Sequence, residues 1–345
     1  MSLPVSGNYY GAGAGVDAYG GAVGTQNRSF IPEIWSGKLQ AKFYDNTVLA
    51  AIANTDWEGD IKDQGDRVKI RTVPNITIRN YEKGQTLTNE VPVANVIDLN
   101  IDKGKYFSVV ADDVDKIQSD LRLMDIFAND AAQQMKIAVD TDVLSGLVTQ
   151  AATANRGFGA GRIDGGIPLG DGFNATVGSR RSVAIDPTTS AGSGSTSTRR
   201  TPLDYLIDMG QVMDEQNLPE SGRYVVVPAW FAAMFKKGDL RNAQISGDDV
   251  SIARNGRVGE VDRFTIYVSN LLPFQNSIAD SNAGTGKRAF HIFAGVKEGL
   301  TFASQVTKVE RLRAQTTFGD IMRGLNVYGY RVVTPNALVE GFVSR

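Results

Sequence analysis

Arg67-Val68-Lys69-Ile70-Arg71 alternates charged and apolar residues without a break, and Ile97-Asp98-Leu99-Asn100-Ile101-Asp102 does the same further along. A period of two marks a strand with one face in solvent. The outward residues of the first run are cationic and those of the second are largely anionic. Facing each other in an antiparallel pair, they would attract across the strands. Between the runs lies Tyr81-Glu82-Lys83-Gly84-Gln85, a polar turn sequence. The stretch therefore reads as a β-hairpin with arms of about 15 residues, on the order of 50 Å if fully extended. A compact domain of this size has a radius of roughly 20 Å. A two-stranded ribbon is marginal alone in water, so a hairpin this long is expected to lean on another molecule. The alternative is a hairpin folded back into its own sheet.

The segments on either side set the class. Residues 1–28 are Gly-rich and nearly uncharged, and are read either as a mobile arm that orders only against a partner or as a disordered tail with no role. Phe30 to Ala53 carries helical spacing, enough for one or two short helices. After the hairpin, Ser119 or Asp120 can cap a helix whose apolar positions run from Leu121 through Met124, Phe127, Ala131, Met135 and Val139 to Leu147. No Pro interrupts it and its only Gly is Gly146. One helix of about 30 residues, some 45 Å long, is expected. Residues 153–201 are rich in Gly, Ser and Thr, with six Arg against three Asp, and are read either as a positive loop that touches phosphate or an acidic patch on a neighbouring subunit, or as a solvated loop.

Pro202 then opens an amphipathic helix. Arg223-Tyr224-Val225-Val226-Val227-Pro228 reads as a buried strand stopped by Pro. Further strands are expected over 261–272 and 290–296, and long strand-like runs from Leu300 to Val333. The order of elements fits α+β, not the regular alternation of a doubly wound sheet.

Composition excludes several chemistries. The 345 residues contain no Cys and one His, His291, so disulfides, zinc–thiolate sites and paired-His metal sites are ruled out. A Ser-His-Asp triad would have to use His291, which sits in an apolar strand-like run and is read as structural. Lys plus Arg total 36 against 38 Asp plus Glu, which argues against a surface that grips nucleic acid all over. Hydrophobic residues make up 42%, enough for a real core. Nowhere do 18 apolar residues run together, and the N-terminus lacks a signal-peptide pattern. No membrane partner is expected, and folding in a cytoplasm is.

Gly284-Thr285-Gly286-Lys287 fails as a phosphate loop, because Ser281 and Arg288 stand where Gly and Ser or Thr are required. Gly157-Phe158-Gly159-Ala160-Gly161 follows a helix and does not open one, so it fails as a dinucleotide motif. Asp112, Asp113 and Asp115 form one carboxylate cluster, and Asp248 with Asp249 another. They are the only support for a metal site, and favourable charge near a helix start explains the first equally well. No cofactor is expected.

In sequence order these stretches resemble the major capsid proteins of tailed bacteriophages, which adopt the Hong Kong 97-type fold, and most of all the group from short-tailed phages. Gly65-Asp66-Arg67-Val68-Lys69-Ile70 is similar to the entry into that family's extended loop, and Leu121–Ala152 to its spine helix. Arg223 to Phe231 is similar to a strand-to-helix step of the axial domain. Gly256 to Pro273 is similar to the segment running from a glycine to Ser-Asn-Pro, with Arg263 where the family often has Gly. Arg331 to Val339 is similar to the C-terminal return.

The resemblance implies a domain plan: N-terminal arm 1–45, extended loop 60–110, peripheral domain with spine helix 111–155, Gly/Ser-rich loop 156–201, axial domain 202–299, peripheral return strands 300–331 and C-terminal axial segment 332–345. It implies hexamers and pentamers closing an icosahedral shell around double-stranded DNA, with a scaffolding protein, a portal protein and a decoration protein as partners. Candidate inter-subunit contacts are Arg67, Lys69, Arg71, Glu82, Lys83, Asp98, Asp102, Arg180 and Arg181. Some family members weld subunits through a Lys–Asn isopeptide bond. Lys83 near the hairpin tip is the donor such chemistry would use, though no motif accompanies it. Two rivals stand beside this reading. One is an encapsulin-type nanocompartment shell, which shares the fold. The other is a carboxylate or metal-dependent hydrolase.

Overall fold

The computed structural model describes residues 42, 44–57, 67–74, 76–94, 96–113, 123–172, 181–187, 199–237, 260–275, 288–315 and 317–345. Most of the N-terminal arm, the helix caps Ser119 and Asp120, Asp115, Arg180, the Asp248–Asp249 pair and the 284–287 loop lie outside them. From Tyr44 onward these residues belong to one compact unit.

A short helix, α1 (Leu49–Ile52), comes first. Its opening amides have no partner within the helix. The carboxylate of Asp140 supplies one, accepting from Val48 N–H at 2.8 Å and Leu49 N–H at 2.9 Å. Strands β1 (Arg67–Arg71) and β2 (Val96–Asn100) follow and pair antiparallel, Lys69 opposite Asp98. They form a two-stranded sheet of their own.

Only Ile101 and Asp102 separate β2 from β3 (Lys103–Asp112), yet β3 belongs to a different sheet. It pairs along its length with a strand more than two hundred residues away, and the β1–β2 ladder ends at Asn100. Alternation identifies β3 as a strand, but its partner is chosen at long range.

The long helix α2 spans Leu123–Leu147, about 37 Å at 1.5 Å per residue. Expected to Ala152, it stops at Leu147, and Thr149 just beyond adopts a positive φ of 77°. The Gly/Ser-rich region is not simply a solvated loop. Gly157 bridges Gly170, Ala160 bridges Ile167, and Asp171 bridges Arg181. Strand β4 (Val183–Ile185) is fully buried, and β5 (Arg199–Arg200) pairs with it in parallel.

Helix α3 (Pro202–Glu215) starts as its sequence dictates: Thr201 Oγ1 accepts from Asp204 N–H at 3.1 Å and Pro202 fills the first turn. Strand β6 (Arg223–Val227) is buried at every position, as its unbroken apolar run requires. Pro228 ends it and α4 (Ala229–Phe235) follows. Strands β7 (Glu260–Val261), β8 (Phe264–Val268), β9 (Phe274–Gln275) and β10 (Ala289–Val296) come next. With β13 (Leu338–Ser344) they build an eight-stranded sheet of order β5-β4-β13-β10-β6-β8-β7, with β9 also on β10. The main core lies against this sheet, with Tyr205, Met209, Val225, Phe231, Phe264 and Phe293 at its centre.

The turn between β7 and β8 is Asp262-Arg263, with φ of 48° and 65°. Positive φ at both central residues is what a tight two-residue hairpin demands. Arg263 therefore sits where Gly would be easiest, and its guanidinium is held by Asp214 at 3.0 Å and Glu220 at 3.4 Å.

The other large element is a ribbon of β11 (Leu300–Arg313) and β12 (Gly319–Val332), each about 45 Å long. With β3 it forms a three-stranded sheet of order β11-β12-β3. Helix α2 packs on one face of it.

Candidate assembly surface

The hairpin keeps one register from root to tip. Arg67 opposes Asn100 in the ladder. Ten residues further out on each arm, Glu90 accepts from Thr77 N–H and Oγ1, both at 3.4 Å. At the tip, Gln85 N–H donates to Glu82 C=O at 3.1 Å and Gly84 takes a φ of 91°, a reverse turn closed where Lys83-Gly84 predicts. Arms of about 15 residues are thus present. Strand pairing, however, is confined to the five base pairs, and no ladder continues among the described residues of 72–94.

The unpaired arms carry apolar side chains into solvent. Val73 is 92% exposed, Ile78 90%, Val91 84% and Val93 80%, with Ile76, Tyr81 and Leu87 at 65–70%. Val73, Ile78 and Val91 are the most exposed large apolar residues among those described, and isolated soluble proteins rarely show so many together. Sequence reading fixed on the charges of this hairpin and passed over its apolar residues. The signal was available: Val73, Ile76, Ile78, Val91 and Val93 stand in a segment too narrow to bury them.

Of the candidate contact residues, Arg67 and Asp98 pair within the hairpin at 3.6 Å, both roughly half exposed. Lys69 lies directly across from Asp98, and Arg71 opposite Val96. Asp102 is exposed in the joint between β2 and β3, outside the ladder, so the expected attraction across strands does not include it. Glu82 and Lys83 are exposed at the tip. Arg181 stacks on Phe158 at 4.6 Å and exchanges backbone hydrogen bonds with Asp171.

At the root of the hairpin, Ile70, Leu99, Ile101 and Ala303 form a small core of their own. Gly329 of β12 lies beneath Asn100, where a Cβ would come within 2.0 Å of the Asn100 carbonyl oxygen. On the opposite face of β12, Lys103 Nζ meets Asp142 Oδ2 at 2.9 Å and Tyr330 Oη at 3.0 Å. Burial works against the Lys103 ammonium, but these hydrogen bonds outweigh it and raise its pKa. Burial likewise pushes Asp142 up. The Lys103 and Tyr328 hydrogen bonds and the nearby lysine charges prevail and hold it below its ordinary value.

Two of the residues behind the enzyme reading, His291 and Asp113, are engaged structurally. His291 is 1% exposed in the central strand β10, with Nδ1 2.6 Å from Glu340 Oε1 and Nε2 3.3 Å from the Gln275 amide. Burial raises the Glu340 carboxyl despite its His291 partner. Asp113 forms an ion pair with Arg313. No group of three or more His, Cys, Asp or Glu among the described residues could hold a metal ion. No helix among them is long and apolar enough to cross a membrane.

Comparison with known proteins decides the family. The family described as phage capsid protein matches residues 95–340, well over half of the chain. The chain belongs to the phage capsid protein family. It is a major capsid protein, a virion structural protein that forms the phage shell. Its fold is of the Hong Kong 97 type, α+β. Among solved structures, a chain of Mycobacterium phage Che8 superposes with a TM-score of 0.67 at 24% identity, covering 91% of this chain and 97% of that one. The capsid of cyanophage P-SCSP1u gives 0.65 at 17%, covering 96% and 97%. The capsid of a native GTA particle gives 0.60 at 14%, covering 93% and 97%. No curated protein matches the capsid protein by sequence.

Proposed function

We propose that this capsid protein tiles as hexamers and pentamers into a closed icosahedral shell around double-stranded DNA. In this reading assembly takes place in the host bacterial cytoplasm, with a scaffolding protein and a portal, and a decoration protein can join the finished shell. The eight-stranded sheet serves as the axial domain. Helix α2 and the three-stranded sheet serve as the peripheral domain. The protein acts as a structural subunit and catalyses nothing.

One observation carries this reading. The hairpin reaches on the order of 50 Å and leaves Val73, Ile78, Val91 and Val93 at least 80% exposed. Burying such residues stabilises by roughly 1.5–3 kcal/mol each, which no surface of the same hairpin supplies. A neighbouring copy supplies it in a shell. Arg67, Lys69, Arg71 and Asp98 then set charge at the hairpin base and Glu82 and Lys83 at its tip, with Asp102 beside the root. Arg180 and Arg181 belong to a second contact.

The test is Ile78→Asp with Val93→Asp, followed by light scattering and negative-stain imaging. The expected result is folded capsomers or monomers with the parent melting temperature and no closed shells. Shells at parental yield would overturn the reading. For the second contact, Arg180→Ala with Arg181→Ala should weaken assembly. Because Arg181 also stacks on Phe158, Arg181→Ala alone is the necessary control.

A further inference from the structure

Where β10 begins, it runs between β9 and the last residues of β13. Phe290 lies opposite Phe274 on one side and opposite Val343 on the other. Residues directly opposite each other share a face of the sheet, and so do residues two apart on one strand. Ala289 opposes Ser344, so the next step outward sets Arg288 opposite Arg345, on the face that carries Phe290. Both arginines are exposed. Like charges set directly across an antiparallel pair repel.

The two arginines border a cavity of about 450 Å³ whose walls, among the described residues, are Trp230, Arg288, Phe290 and Arg345. Neither Asp nor Glu lines it among them. Aromatic rings run along its floor: Trp230 and Phe290 have centroids 6.0 Å apart, and Phe290 and Phe274 5.6 Å apart. The Arg288 guanidinium lies 5.0 Å from the centroid of Phe274, which is 47% exposed. Trp230 Nε1 is buried and has no acceptor among the described residues. A buried donor left unpaired is costly. The polar side-chain groups around this space are thus two guanidinium forks and an indole N–H, all of them donors.

We propose that this pocket binds a nucleoside phosphate, with the phosphate between Arg288 and Arg345 and the base against the aromatic row. Guanidinium forks match phosphate oxygens two at a time, and an anion set between two opposed arginines turns their repulsion into attraction. The volume falls in the range of small-ligand sites, about 300–1,000 Å³, so a bare oxyanion would leave most of it empty. Trp230, Phe290 and Phe274 offer ring faces on which a planar base stacks. A free nucleotide and the phosphorylated end of a nucleic acid strand present the same chemistry. The inference uses side chains of one subunit and does not rest on the shell reading.

Trp230 is one of three tryptophans in the chain, so its indole N–H gives a separable NMR signal, assigned with Trp230→Phe. The full-length subunit in phosphate-free buffer is titrated with deoxyadenosine monophosphate, with inorganic phosphate and with a terminally phosphorylated single-stranded oligonucleotide. The mononucleotide should shift the Trp230 signal saturably and bind about tenfold more tightly than inorganic phosphate. Arg288→Gln and Arg345→Gln should each weaken it about tenfold. Lys297→Gln, an exposed cation beyond the other end of β10, should change nothing. Arg288→Gln removes one of two opposed charges, so its melting temperature without ligand should not fall below the parent's, and the nucleotide should raise the parent's by more. An oligonucleotide that binds as tightly as the mononucleotide identifies a nucleic acid strand as the source, and one that binds far more weakly identifies a free nucleotide; either agrees with the proposal. The absence of a saturable Trp230 shift at about 10 mM mononucleotide overturns it, and so does equal affinity for inorganic phosphate. Shell assembly lost in Arg288→Gln, with no effect of nucleotide on the parent, also overturns it, because the occupant is then a carboxylate of a second copy.

Discussion

Gly329→Ala tests whether the hairpin root sits where the structure places it. The added methyl would lie 2.0 Å from the Asn100 carbonyl oxygen, 2.9 Å from its carbon and 3.0 Å from Ile101 Cα. Carbon–oxygen contacts settle at about 3.3–3.6 Å, so the backbone of the root must retreat by roughly 1.3 Å. The obstacle is main chain in a packed corner and cannot rotate away as a side-chain tip would. Overpacking of this kind costs about 1–3 kcal/mol. Reduced entropy of the unfolded chain returns about 0.4–1 kcal/mol. The expected net loss is about 1.3 kcal/mol. At about 2.1 cal/mol/K per residue of unfolding entropy, that lowers the melting temperature of this chain by about 2 °C. Calorimetry of the purified subunit measures it, and hydrogen exchange of the 96–101 amides localises it. The internal control is Gly104→Ala in β3, where the nearest atoms lie 4.0 Å from the new carbon. That variant should be neutral or slightly stabilised. If Gly329→Ala matches Gly104→Ala in both stability and exchange, the root does not rest on β12 and the reasoning is wrong.

Other consequences concern buried polar groups. Asp140→Ala removes the acceptor of two amides at the start of α1. At about 1–3 kcal/mol for each buried group left unpaired, urea denaturation should show a loss of about 3 kcal/mol, less if water enters. Arg223 is fully buried and donates to Asp214 and to the carbonyls of Leu218 and Pro219. Arg223→Met should destabilise by about 3 kcal/mol, and an unchanged denaturation midpoint would contradict its role. Asp214 is pushed up by burial, but the hydrogen bonds and charges of Arg223 and Arg263 hold it below its unfolded value of 3.8. A depressed carboxyl stabilises above the unfolded value and loses that contribution as pH falls through the folded one. The stability gap between parent and Asp214→Asn should therefore be full at pH 6 and narrow below pH 3.8. A gap that stays constant would mean the pairs carry no such energy.

Much of the architecture was legible in local pattern. Strict alternation at Arg67–Arg71 and from Ile97 on located the hairpin, and Lys83-Gly84 located its tip. The apolar run of β6 marked a strand buried on both faces, and uninterrupted helical spacing marked α2. These signals are local because each reflects which side of an element faces water, and that repeats every two or every 3.6 residues. The short-range code also explains two misjudgements. Polarity made 153–201 look like loop, yet Val183-Ala184-Ile185 slots between β13 and β5 in the large sheet. Charge pointed to cross-strand attraction that takes in Asp102, but Asp102 lies outside the ladder, while Arg67 does pair with Asp98.

What the tertiary structure alone decided is which elements meet. Nothing near Lys103 in the chain announces that it will pair opposite Tyr328 and grip Asp142. Nothing around Gly146 or Gly329 says that one receives a tyrosine hydroxyl and the other the backbone of the hairpin root. Period and composition follow from each residue's own exposure, and a sequence displays those directly. Partner choice follows from closing long loops and from complementary shapes brought together across two hundred residues. That information is spread over the whole chain, and it becomes visible only when the chain is folded.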